Sequence, residues 1–304
     1  MSVISVSHLE KSYGKVQALR DISFEVSDSE VFGVVGPDGA GKSTLFNILT
    51  TLLLPDSGEA TVLDCNVRTQ YLEIRRHIGY LPGTFSLYPD LTVEENLVFF
   101  ATMYQSSIKE NMPLIASIWS QIEPFKNRFA GKLSGGMKQK LALCCALIHK
   151  PVLLFLDEPT TGVDPVSRKE FWEILRTIKQ QGISVVVSTP YMDEATLCDR
   201  IALLQEGRII RMDPPQKIIS DFSGHLVTLR CNDIFKLLKT MEKCPIHCTF
   251  YPYGENLHVI FYEPLQTVLP VFEAYLKENA IAYDNLLPIE PNIEDCFIEI
   301  VKGN

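Results

Sequence analysis

The sequence predicts an α/β fold: one large domain on a largely parallel sheet, carrying an antiparallel β subdomain and a helical subdomain, followed by a small C-terminal α+β domain. Three observations predict it. Short apolar strands alternate with helices between Val31 and Leu204, an order that implies crossover units and hence parallel pairing. One of those strands runs into a helix through the glycine-rich turn GPDGAGKST, Gly36 to Thr44. After the punctuation Asp213-Pro214-Pro215 the pattern restarts as strand, helix, hairpin, helix, strand, the succession of a split βαβ, ferredoxin-like unit.

Taken in chain order, Ile4 to Leu9, Ile22 to Val26 and Val31 to Val35 read as strands, separated by turn signals at Tyr13-Gly14-Lys15 and Ser27-Asp28-Ser29. Beyond Gly41 the residues Leu45, Ile48, Leu49 and Leu52 recur at helical spacing, with Pro55 as the stop. A strand at His77 to Leu81 precedes a mostly helical stretch, about 84–132, expected to be an inserted subdomain. Strand character returns at Val152 to Leu156, Ser184 to Ser188 and Ile201 to Leu204, and a helix is expected to start at Pro190 with Thr189 as its N-cap. The large domain is placed at 1–215 and the accessory domain at 216–304. In the latter, strands at Leu226 to Cys231 and Asn285 to Ile289 enclose a hairpin, Thr249 to Tyr253 with Leu257 to Tyr262. Helices at Ile234 to Glu242 and Leu265 to Lys277 connect them, and another starts at Ile293.

With 304 residues, 46% hydrophobic and 21% charged, the chain can bury a substantial core. A net charge of -9 offers no basic footprint for a duplex, so nucleic acid is not expected as the main partner and any anion must be held locally. Eight cysteines without a CxxC pair, and no signal-like N-terminus, point to a reducing, cytoplasmic setting. No apolar run approaches the roughly 20 residues that span a bilayer. Cys144 and Cys145 read as small buried residues, and Cys244, His247 and Cys248 lack a second ligand pair for a metal.

Chemistry concentrates in three places. Gly36, Pro37, Asp38, Gly39, Ala40, Gly41, Lys42, Ser43 and Thr44 make a loop whose glycines let backbone N–H groups converge on phosphate oxygens at a helix N-terminus. Lys42 would neutralise β- and γ-phosphates, and the Ser43 hydroxyl would ligate Mg²⁺. The strand Val152 to Leu156 delivers Asp157, suited to the Mg²⁺ shell, and Glu158, placed to polarise an attacking water. Those two elements describe a P-loop nucleoside triphosphatase and no more: kinases, GTPases, helicases and transport motors all fit. The third is LSGGMKQK, where Ser134, Gly135 and Gly136 open a helix and form a second phosphate-binding device. One nucleotide cannot occupy both helix starts of one monomer, so two monomers facing head to tail are expected.

On these motifs the chain, over residues 1 to about 215, resembles the ATP-binding subunits of ABC transporters. LSGG looks like the family signature, Asp157-Glu158 like its acidic strand end, and Thr161-Gly162-Val163-Asp164-Pro165 like its D-loop. LYPDLTVEENL and the ending PNIEDCFIEI are similar to the drug-export and antibiotic-resistance branch. The resemblance implies ATP with Mg²⁺ as cofactors, Tyr13 stacked on adenine, Gly135 and its neighbours on the γ-phosphate in trans, and Asp164 communicating between two sites. It also implies separate transmembrane permease subunits as partners, with the ATPase peripheral on the inner face of the membrane. Two positions depart from the family: Leu81-Pro82-Gly83 stands where a glutamine is usual, and Pro190 where a histidine is usual. Proline keeps the corner but cannot donate to a phosphate, which suggests a degenerate site paired with a different ATPase subunit in a heterodimer; the other reading is that both are tolerated variations, other groups fill in, and the pair is a homodimer. A non-transport ABC-type ATPase or a regulatory ATP-binding module are the alternatives.

Overall fold

A computed structural model describes residues 2–84 and 86–302. Phe85, inside the expected helical range, and Met1, Gly303 and Asn304, at the ends of the expected domains, lie outside the described residues. The chain divides into two compact units, Met1–Pro214 and Pro215–Asn304.

The first unit opens with a long hairpin, β1 (Ser2–Tyr13) and β2 (Val16–Ser27), turned at Gly14-Lys15. Alternate residues Ile4, Val6 and Leu9 on β1 and Ile22, Phe24 and Val26 on β2 are buried, the pattern of a sheet with one face on a core. β3 (Val31–Val35) leads through the glycine-rich turn into α1 (Lys42–Leu49). β4 (Ser57–Val62) and β5 (Cys65–Asn66) complete the first sheet in the order β2-β1-β4-β5. Then come α2 (Tyr71–His77), β6 (Ile78–Leu81), the helices α3 (Val93–Met103), α4 (Ile108–Ile122) and α5 (Gly135–Leu147), and β7 (Leu153–Asp157). The unit ends with α6 (Pro165–Gln180), β8 (Ser184–Thr189), β9 (Arg200–Gln205) and β10 (Arg208–Asp213).

The second sheet has six strands in the order β10-β9-β3-β8-β7-β6, parallel except for the β9–β10 pair. β3, β7 and β8 are buried along their whole length, which is why VFGVV, LLFLD and SVVVST read as continuous rather than alternating apolar runs. Leu45, Phe46, Ile48 and Leu49 of α1 share one core with residues of both sheets, and Phe46 meets Phe155 of β7 edge-on, ring centroids 5.8 Å apart. α1 is shorter than its apolar spacing predicts. It stops at Leu49 because Thr51 turns to positive φ and the N–H groups of Thr51 and Leu52 donate back to the carbonyl oxygens of Ile48 at 3.0 Å and Asn47 at 2.7 Å, a left-handed helix cap that leaves Leu52 outside.

α3 and α4 pack on α5. α3 starts on a reciprocal cap in which Thr92 and Glu95 exchange hydrogen bonds, and α4 buries Ile115, Ile118, Trp119 and Ile122 along one stripe.

The second unit runs α7 (Pro215–Ser220), β11 (His225–Cys231), α8 (Ile234–Met241), β12 (Cys248–Tyr253), β13 (Asn256–Phe261), α9 (Leu265–Glu278), β14 (Tyr283–Pro288) and α10 (Ile293–Lys302). Its antiparallel sheet has the order β12-β13-β11-β14, the split βαβ arrangement. One face carries a core of Val227, Leu229, Phe261, Leu237 of α8 and Phe272 and Leu276 of α9. On the other, Leu226, Tyr251 and Ile260 meet Ile298 of α10, and Asp295 of the same helix is fully buried. Its carboxylate accepts from the Tyr251 hydroxyl, from His258 Nδ1 at 2.7 Å and from the Asn292 N–H at 2.7 Å.

Burial by itself would raise the Asp295 carboxyl, but the hydrogen bonds from His258, Tyr251 and Asn292 hold it below its ordinary value of 3.8. A depressed folded-state value means the stabilisation is fully present above the unfolded value and is lost as pH falls through the folded one. Asp295→Ala should therefore destabilise the second unit by about 3 kcal/mol near neutral pH. Hydrogen–deuterium exchange of peptides covering α10 and β13 should report this as faster exchange, and the gap to wild type should shrink in acid below the ordinary carboxylate range.

Candidate functional site

β3, β8 and β7 lie side by side and parallel, so their C-terminal ends converge on one edge of the sheet. There the Gly36 N–H donates to the Thr189 carbonyl oxygen at 3.2 Å, fastening the glycine-rich loop to the end of β8. Two glycines are required by contact. A Cβ on Gly36 would sit 2.2 Å from the Leu204 carbonyl oxygen, and Gly41, at φ +107°, would place one 2.5 Å from the carbonyl oxygen of Ala18.

Lys42 is 3% exposed, and its Nζ donates to the carbonyl oxygens of Gly36 at 2.8 Å and Pro37 at 3.0 Å. Glu158 Oε1 lies 3.2 Å away. An ammonium folded inward in this way sits at the mouth of a loop whose helix, α1, has no acidic residue in its first turn, leaving the N-terminal N–H groups and their partial positive charge for an anion. Tyr13, Gly39, Gly41, Lys42, Ser43, Thr44 and Glu158 line a cleft of ≈ 230 Å³. The Asp38 side chain stays exposed, with Oδ1 4.0 Å from Lys42 Nζ. Ala40 is buried. Tyr13, the last residue of β1, is 51% exposed, with the Lys11 ammonium 5.9 Å from its ring centroid.

Asp157 is buried at the end of β7, and its Oδ1 accepts from the Ser188 hydroxyl at 2.5 Å. Glu158 follows at φ +48°, a turn that swings its carboxylate away from the strand direction and onto Lys42. Burial first, and then the charge of Asp157, pushes the Tyr80 hydroxyl well above its ordinary value, so Tyr80 stays neutral beside the acid.

The signature residues are elsewhere. Ser134 caps α5 by accepting from the Met137 N–H at 3.3 Å, and neither it nor Gly135 nor Gly136 lines the cleft. Gly135 instead shares a second hollow of ≈ 200 Å³ with Gly83 and Gly162. A Cβ on Gly136 would meet Ser167 Oγ at 2.7 Å, so the signature turn lies close against the start of α6. Asp164 caps that helix, accepting from the N–H groups of Val166 at 3.1 Å and Ser167 at 3.0 Å, bonds that lower its carboxyl.

One expectation fails at Pro190. Thr189 ends β8 rather than capping a helix that starts at Pro190; the next helical turn is a 3₁₀ segment, Met192–Leu197. The Thr189 hydroxyl accepts from the Tyr191 N–H at 3.1 Å and donates to Glu194 Oε2 at 2.5 Å, a local turn that competes with capping. Arg168 of α6 holds the same loop, with Nε 3.1 Å from Glu194, a terminal nitrogen 2.7 Å from Asp193 and its guanidinium over the Tyr191 ring. Sequence reasoning missed Ser188, Arg168 and Glu194. The one available signal was the hydroxyl pair Ser188-Thr189 at the end of an otherwise apolar strand.

Residues 19–161 match the ABC transporter family. Over 304 residues, 99% of this chain and 93% of the relative, the chain is 34% identical to Nod factor export ATP-binding protein I of Rhizobium etli. The chain belongs to the ABC transporter ATP-binding subunits. It is also 40% identical over 219 residues to the "Probable multidrug ABC transporter ATP-binding protein YbhF" of Escherichia coli, a match that spans 71% of this chain but only 38% of that protein's length. Among solved structures, an ATP-binding subunit of an ABC transporter aligns with a TM-score of 0.66 at 29% identity, over 72% of this chain and 93% of that one. The dimeric ATP-binding cassette MJ0796 in a post-hydrolysis state with ADP and Pi aligns at 0.63 and 27% identity, over 69% and 98%. ATP binding is the property this ABC domain brings with it.

Gly41→Ala should weaken binding of a fluorescent ATP analogue at least tenfold, because the new methyl forces the loop away from Ala18. Strain at that φ adds about 1–3 kcal/mol of destabilisation, which a thermal melt of the same protein will register.

Proposed function

We propose that this chain binds ATP with Mg²⁺ in the P-loop cleft, pairs head to tail with a second ATPase subunit, and couples closure and hydrolysis to export through separate transmembrane permease subunits. The observation that carries the reading is the buried Lys42, held by the carbonyls of its own loop and by Glu158 beside the buried Asp157. In this reading Lys42 moves its hydrogen bonds onto the β- and γ-phosphates, the N–H groups of residues 38, 39 and 41–44 surround them, and Tyr13 stacks on the adenine. Once Lys42 is drawn to phosphate, Glu158 is free to orient a water for attack.

The donors available to Mg²⁺ suit it. The Ser43 hydroxyl lines the cleft, Asp157 stands at the end of the strand beside it, and both are hard oxygen ligands of the kind Mg²⁺ selects. Mg²⁺ bound there would offset charge on the phosphate oxygens. Ser134, Gly135 and Gly136, lying outside the cleft, are placed to meet a nucleotide held by the partner subunit, and Asp164 lies next to them at the start of α6.

The relatives and the exposed surface support the partners. The cassette MJ0796 was solved as a dimer with ADP and Pi, and the relatives carry multidrug and Nod factor export names. No described helix is long and apolar enough to cross a membrane. On α3 and the segment before it, Tyr88, Val98, Phe99 and Met103 are exposed, and the ring centroids of Tyr88 and Phe99 lie 4.6 Å apart. An apolar patch of this kind marks a protein contact and suits a permease, which would hold the subunit on the inner face of the membrane.

Pro190 and Gly83 favour the degenerate half of an asymmetric pair. Neither side chain has a donor, and removing one preorganised donor from a transition state costs roughly 10² to 10³ in rate. The purified chain should bind ATP in a Lys42-dependent manner, Lys42→Ala weakening it at least tenfold, yet turn it over slowly, and Pro190→His should raise that rate. It should co-purify with a second ATPase subunit and a polytopic membrane protein. Vigorous Mg²⁺-ATPase activity from the isolated chain, abolished by Lys42→Ala, would overturn the degenerate-site reading.

A further inference from the structure

We propose that Ser188 is a positioning residue for the metal side of this site: one buried hydroxyl orients the Asp157 carboxylate and pins the backbone of Glu158. The proposal rests on the reading of the cleft as an ATP and Mg²⁺ site.

Ser188 follows Val185-Val186-Val187 on a strand buried along its whole length. A hydroxyl there is costly unless its hydrogen-bonding capacity is used, and this one is used twice. It donates to Asp157 Oδ1 at 2.5 Å and accepts from the Glu158 N–H at 2.9 Å. The same N–H also lies 3.1 Å from the Ser188 carbonyl oxygen. The register explains why one residue reaches both acids: Asp157 and Ser188 are direct partners in the parallel β7–β8 ladder, and Glu158 is the first residue beyond it.

Two consequences follow for the site. With Oδ1 committed to Ser188, the carboxylate plane is fixed and Oδ2 is left as the oxygen for a ligand. Glu158 departs from the strand at φ +48°, a conformation that a residue with a side chain enters only when its surroundings hold it; the shared N–H supplies such a hold. Groups that hydrogen-bond a ligating carboxylate typically contribute about 10- to 100-fold to metal affinity. In a chain with Pro190 two residues further on, Ser188 is the β8 side chain that reaches the acidic pair.

The test uses the full chain and a fluorescent ATP analogue, with Mg²⁺ titrated at fixed nucleotide and a parallel nucleotide titration in EDTA. Ser188→Ala should raise the half-saturating Mg²⁺ concentration about tenfold, leave nucleotide affinity in EDTA within about twofold, and still melt cooperatively. Ser188→Thr, which restores a hydroxyl, should return the Mg²⁺ dependence toward wild type; if its extra methyl prevents folding, the alanine titration decides alone. An unchanged Mg²⁺ requirement in Ser188→Ala, or equal losses with and without Mg²⁺, would overturn the proposal and leave the ATP site standing. A wild-type chain that binds no nucleotide, or binds it identically in EDTA and Mg²⁺, would overturn the reading of the cleft itself.

Discussion

The first unit depends on β8 pairing in parallel with β3 on one side and β7 on the other. Each ladder brings together segments more than a hundred residues apart or separated by a full helix, and each ends at the same edge of the sheet. Because the three strands are buried on both faces, apolar packing enforces the register: a one-residue slip would exchange which side chains face each layer. The glycine-rich loop, Asp157 and Ser188 are in reach of one another only because that register holds.

Around this edge several polar groups are bound to one another. Lys42 is satisfied by two carbonyl oxygens and Glu158, Asp157 by Ser188, and Thr189 by Glu194. A buried cation and two acids at one strand edge would be costly unpaired. The loop that carries Pro190 is held separately, by Arg168 one turn into the helix that Asp164 caps, so the two segments flanking the acidic strand end are mechanically joined through one guanidinium.

The second unit solves a different problem with the same rule. Its sheet has helices on both faces, and the fully buried Asp295 on the terminal helix is accepted because Tyr251, His258 and the Asn292 N–H all donate to it. That choice specifies where α10 docks more sharply than the apolar contacts of Ile298 alone, since an unpaired carboxylate tolerates no alternative register.

The sequence by itself determined what is local. Glycine spacing defines a turn because only glycine fits at Gly36 and Gly41; continuous apolar runs mark β3, β7 and β8 because both sheet faces are covered; and the second unit's strand and helix order is visible in alternating periodicities. Local signals also overreached. Leu52 fits the helical spacing, but the left-handed turn at Thr51 closes α1 earlier, and Thr189-Pro190 has capping chemistry that the bond to Glu194 diverts. Tertiary structure alone decided the strand order, the partition of the glycine motifs between a P-loop cleft and a separate hollow, and the work of Ser188 and Arg168. Those contacts join residues 31 and 25 positions apart, and no periodicity within either segment encodes its partner; they exist because hydrogen-bonded strands and packed helices bring distant side chains to the same edge.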